Sequence, residues 1–141
     1  GFAGPITEGV FIHELLHCAD FTNDIYDNEV WGLKAHGPTY KFLYGKSGAH
    51  AIETGKADGP RPSGFVSAYA KYGGVNEDQA ETAEALFHNY KELMQWAAKE
   101  PPLARKVAMT IKFFEEKSGG YMNKRYFGDL AAGRVDNDYW N

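Results

Sequence analysis

The stretch His13-Glu14-Leu15-Leu16-His17 places the tightest constraint on how this chain folds. Residues four apart share one face of an α-helix, so His13 and His17 can aim ring nitrogens at one point. Val10, Phe11, Ile12, Leu15, Leu16, Cys18 and Ala19 surround them, making the helix apolar on nearly every side. Such a helix is buried. Two imidazoles and a carboxylate inside it need partners, because an unpaired buried carboxylate is costly. A catalytic Zn²⁺ meets that need: it takes three protein ligands and keeps one position for water, and Glu14 stands where it can touch that water.

The rest of the chain fits one domain. Its 141 residues are 43% hydrophobic and 15% aromatic, which is a globular composition. The net charge of −4 and the lack of a basic stripe argue against nucleic acid as a partner. No apolar run reaches the length of a membrane span. Cys18 is the single cysteine, so no internal disulfide forms, and it reads as a core residue.

Helical punctuation dominates. The first helix is expected from about Thr7, a candidate N-cap after Pro5, to Asp20. Short helices are expected near Asn28–Lys34 and Pro38–Tyr44, closed by Gly37 and Gly45. Lys46–Ser63 reads as loop. A long helix from about Glu77 to Lys99 follows from Ala80, Ala83, Phe87, Tyr90, Met94 and Ala97 at three-and-four spacing. Another starts at Pro101-Pro102, presents Leu103, Val107, Ile111 and Phe114, and ends at Gly119-Gly120. In the tail, Tyr126, Phe127, Tyr139 and Trp140 point to packing. The expected fold is therefore mainly α, a zincin-like helical domain around the His13–His17 helix with little or no sheet.

A third metal ligand decides the class. The metzincin pattern needs Gly and His where this chain has Asp20 and Asn23. Stepping the long helix's stripe back from Ala80 reaches Glu77, and Glu81 lies one turn on. This spacing suits Glu77 as ligand and Glu81 as acceptor of a hydrogen bond from a ligand histidine, with Glu84 as the fallback ligand. Acidic residues are also favoured in any first turn by the helix dipole. His36 and His50 fall in the Gly-rich region expected to border the cleft, where one is a candidate for substrate binding. His88 reads as a surface or core residue, and Trp31 as core.

Gly64-Phe65-Val66-Ser67-Ala68-Tyr69-Ala70 followed by Glu77-Asp78-Gln79-Ala80-Glu81 resembles a G-F-V-S-x-Y-A … E-D-x-A-E pattern. That pattern accompanies H-E-x-x-H in gluzincin metallopeptidases related to the anthrax lethal factor catalytic domain, and in zinc metallopeptidases of bacterial surface lipoproteins. The resemblance covers roughly residues 9 to 87. It implies zinc on His13, His17 and Glu77, Glu14 as general base, and Tyr69 as transition-state donor. Gln79 replaces the usual aromatic of E-D-F-A-E. The eight-residue step from Tyr69 to Glu77 is one longer than expected of lethal factor, which keeps Tyr72 as the alternative donor. Family members usually carry a sheet before the motif helix, and here that helix is expected to begin within the first ten residues, so the chain is expected either to be a trimmed fragment or to lack the upstream strands. The implied function is a secreted or surface endopeptidase acting on peptide or protein substrates through a metal-activated water. The rival is a zinc-binding or degenerate peptidase-like module that binds without cutting.

Overall fold

The computed structural model describes residues 27–133. The expected helix from Thr7 to Asp20, with His13, Glu14, His17 and Cys18, lies outside the described residues, as do Tyr139 and Trp140. Among the described residues the fold is all helix, with no strand: α1 (Asn28–His36), α2 (Gly48–Glu53), α3 (Ala68–Tyr72), α4 (Val75–His88), α5 (Tyr90–Lys99), α6 (Pro101–Lys117) and α7 (Lys124–Ala131). Short 3₁₀ turns occupy Tyr40–Phe42 and Lys56–Asp58. No helix among them is long and apolar enough to cross a membrane.

Local chemistry sets the boundaries. The Asp27 carboxylate caps α1 by accepting from the Glu29 and Val30 amides at 2.9 and 3.2 Å. Gly37, with φ 86°, ends it as expected. Pro101 and Pro102 open α6, where a missing amide hydrogen costs nothing.

Three expectations need correction. The helix expected near Pro38–Tyr44 and closed by Gly45 is a single 3₁₀ turn, Tyr40–Phe42: Thr39 gives it no side-chain cap, and it closes at Leu43, whose amide donates to the Tyr40 carbonyl. Lys46–Ser63 is not plain loop: it contains α2, whose Ser47 hydroxyl accepts from the His50 amide at 3.1 Å. A Gly- and Pro-rich composition hid a six-residue helix with its own cap. The expected helix from Glu77 to Lys99 is two helices, which start at Val75 and break at Asn89. Asn89, a weak helix former, adopts φ −140° and ψ 39°. Its amide donates to Ala85 O at 2.7 Å and its carbonyl accepts from Leu93 N at 2.9 Å, so one residue closes α4 and opens α5.

α6 is the spine, packing on α1, α4 and α5. Leu103, Val107, Ile111 and Phe114 are buried, as the spacing predicts. α7 buries Tyr126 and Phe127, and Phe127 meets Phe87 edge to face with ring centres 5.1 Å apart. α2 and α3 pack on each other, and α3 packs on α4.

The centre of this apolar assembly is charged. Asp78 of α4 and Lys106 of α6 are both fully buried and paired at 2.8 Å. Asp78 also accepts from Trp31 Nε1 at 3.0 Å and from the Tyr44 hydroxyl at 2.5 Å. Lys106 donates to the Gly64 carbonyl at 2.7 Å and stands 3.6 Å over the Phe65 ring. Burial pulls the Lys106 pKa down, and the Asp78 charge opposes that pull. Replacing Lys106 with Met keeps the stem but leaves a buried carboxylate without its cation. This change is expected to cost about 3–5 kcal/mol in a urea unfolding experiment, and a loss below about 1 kcal/mol would contradict the pairing.

Candidate functional site

The two downstream sequence elements meet in one corner, and each contact there has a cause. Gly64 adopts φ 86°, a conformation that L side chains rarely take, and both sides of its peptide unit are gripped. Its amide donates to Glu100 Oε1 at 2.7 Å, and its carbonyl takes the Lys106 ammonium. Glu100 is fixed in turn by a two-pronged pair with Arg61, at 2.9 and 2.7 Å. The Arg61 guanidinium beside it holds the Glu100 carboxyl down at about 2. Phe65 follows, buried, with the Lys106 ammonium 3.6 Å from its ring centre and the His36 ring stacked on it 5.0 Å away.

Ser67 then does two jobs. Its oxygen accepts from the Ala70 amide at 3.0 Å, starting α3, and its hydroxyl donates to Glu81 at 3.2 Å. The start of α3 is thereby tied to the second turn of α4. At the other end of α3, a Cβ on Gly73 would stand 2.6 Å from the Tyr69 carbonyl oxygen and 2.8 Å from Glu77 Cγ. The bare backbone at Gly73 lets the Glu77 stem lie against the α3 terminus. Tyr69, Glu77 and Glu81 are all half-buried along this α3–α4 seam.

Tyr69 thus stands on α3 and Glu77 and Glu81 on the adjoining α4, the two helices tied by Ser67 and Gly73, while His13, Glu14 and His17 lie outside the described residues. Among the described residues no three His, Cys, Asp or Glu side chains group as a metal site. One half-buried carboxylate on a fixed helix, with a second carboxylate one turn away, fits the oxygen share of a His₂Glu ligand set. Tyr72, the alternative donor, has its ring beneath the Lys56 and Lys71 ammonium groups, each 5.4 Å from the ring centre. Glu84 is also half-buried on α4. His88 is exposed.

Sequence reasoning missed the residues that organise the corner. The fully buried carboxylate of the acidic turn is Asp78, and its neighbour Glu77 is only half-buried. Two signals pointed to it: Thr82, also buried, lies four residues on, and Lys106 interrupts the apolar stripe of α6 between Leu103 and Val107. His36 belongs to this supporting layer. Its Nε2 is buried without a hydrogen-bond partner among the described residues, and its ring packs on Phe65 and edge-on to Tyr44.

The chain matches no family model, no curated protein and no solved structure.

The His36 environment yields a pH dependence. Burial, then the charges of Lys106, Arg105 and Lys71, lower its pKa from 6.5 to about 4. The unfolded chain therefore binds this proton more readily than the folded one. The stability owed to a neutral His36 is complete above 6.5 and lost as pH falls from there toward about 4. Urea midpoints are expected to fall across that window in the wild type and to fall less in His36→Phe, which keeps the stacking. Equal slopes in both proteins would refute the assignment.

Proposed function

We propose that this chain is a zinc-dependent endopeptidase of the gluzincin type. The observation that carries the reading is the junction of the two elements that accompany H-E-x-x-H. The Ser67–Glu81 hydrogen bond ties the start of α3 to α4, and the bare Gly73 lets the Glu77 stem lie against the α3 end near the Tyr69 carbonyl. A retained Glu14 favours cutting over binding, since binding alone needs no general base.

In this reading His13, His17 and Glu77 hold the metal. When bound, zinc polarises the scissile carbonyl and makes its water acidic. Glu14 takes a proton from the attacking water and delivers it to the leaving amine. The Tyr69 hydroxyl donates to the carbonyl oxygen as that atom gains charge. Glu81, steadied by Ser67, accepts a hydrogen bond from a ligand histidine and fixes its ring. The substrate is a peptide or protein, and the family resemblance supports a secreted or surface location.

Cleavage of a peptide library by the zinc-loaded chain tests this reading. Glu14→Gln is expected to keep the metal and lose at least about a hundredfold in kcat, the scale of a general acid–base contribution. Retained turnover would remove Glu14 from its role. Glu77→Ala is expected to weaken zinc retention on dialysis about tenfold or more, and unchanged retention would reject it as a ligand.

A further inference from the structure

The hydroxyl of Tyr69 has a specific seat. The segment ahead of α2 docks on α3 through its backbone: the Gly45 amide donates to the Lys71 carbonyl at 3.0 Å, and Gly45 presses so closely on the Tyr72 carbonyl that a Cβ has no room. Ser47 caps α2, and Gly48, its first residue, then lies directly against the Tyr69 ring. A Cβ on Gly48 would collide with the Tyr69 hydroxyl oxygen and stand 3.1 Å from the Cζ that carries it. The conflict is therefore centred on the hydroxyl.

The backbone at position 48 does not itself ask for glycine. Its φ is not in the left-handed region, and alanine ordinarily strengthens a helix. Ala51, one turn on, is fully buried, so this face of α2 is packed and cannot easily retreat. An added methyl would be relieved by moving the Tyr69 phenol.

Resting on the reading of Tyr69 as transition-state donor, we propose that Gly48 is a positioning residue: its bare backbone sets where the Tyr69 hydroxyl stands relative to the reacting carbonyl. The α2 segment is then a working part of the site. A donor must meet the developing oxyanion within a few tenths of an ångström, and a displacement near 1 Å costs about a hundredfold in rate.

The test combines Gly48→Ala, Tyr69→Phe and the double variant in the full chain. With ¹³C-labelled tyrosine, the Tyr69 Cζ resonance is identified by its loss in Tyr69→Phe. Gly48→Ala is expected to shift that resonance and to lower kcat at least about tenfold with KM within about twofold. In the Tyr69→Phe background Gly48→Ala is expected to lower kcat no further, because the hydroxyl it displaces is gone. If Gly48→Ala loses stability, removing the hydroxyl in the double variant is expected to restore the thermal midpoint. An unmoved resonance, an undiminished kcat, or an additive loss in the double variant would each overturn the proposal. If the wild type cleaves no peptide, the peptidase reading falls, and the resonance shift alone then decides whether Gly48 seats the hydroxyl.

Discussion

The carboxylate of Asp78 and the ammonium of Lys106 meet at 2.8 Å with no exposure to solvent, and the geometry of the candidate site follows from that pair. A buried ion pair is weak evidence for net stability, because desolvation offsets most of the attraction, but breaking one side leaves a charge with nowhere to go. The pair is therefore better understood as a locator. Asp78 fixes the first turn of α4 against Trp31 and Tyr44. Lys106 fixes the Gly64 peptide, where the G-F-V-S-x-Y-A element begins. Glu77 precedes Asp78 in sequence, and Tyr69 stands a few residues beyond Gly64. Two sequence elements separated by a glycine-rich turn are thus referenced to one lysine on the central helix.

Around that lysine, polar and aromatic groups satisfy one another closely. Lys106 and His36 both pack on the Phe65 ring, and the low His36 pKa follows from burial beside three cations. Burial, reinforced by the Asp78 charge, raises the Tyr44 hydroxyl well above the usual phenol range, so it remains a donor to that carboxylate. The Arg61–Glu100 pair performs a similar service on the other side of Gly64, holding its amide. The corner where α3 joins α4 thus rests on packed, hydrogen-bonded supports.

How much of this the sequence disclosed depends on what kind of signal each feature leaves. Pro101-Pro102 and Gly37 mark boundaries through backbone chemistry, and both read correctly. Ser47 marks α2 just as plainly, but the surrounding Gly and Pro residues outweighed it. The break at Asn89 left little trace, because apolar residues on both sides keep helical spacing and only the local backbone departs. Asp78 was hidden among neighbouring carboxylates: a first turn rich in acid looks alike whether its members face solvent or the core. Lys106 was hidden because lysine beside an apolar stripe usually places its head in water. Gly48 and Gly73 matter for what they leave out, and no pattern of side chains records that. The resemblance named Tyr69, Glu77 and Glu81, but nothing in it discloses the Ser67 and Gly73 contacts that join α3 to α4.

The central claim is that the Glu77 seam completes a metal site with the histidines of H-E-x-x-H. X-ray absorption at the zinc edge, on the zinc-loaded full chain, tests it most directly. The account predicts a four-coordinate site of light nitrogen and oxygen donors at about 2.0–2.2 Å, with the scattering pattern of two imidazoles. A sulfur shell at about 2.3 Å, a six-oxygen hydrated ion, or failure to retain zinc would contradict it.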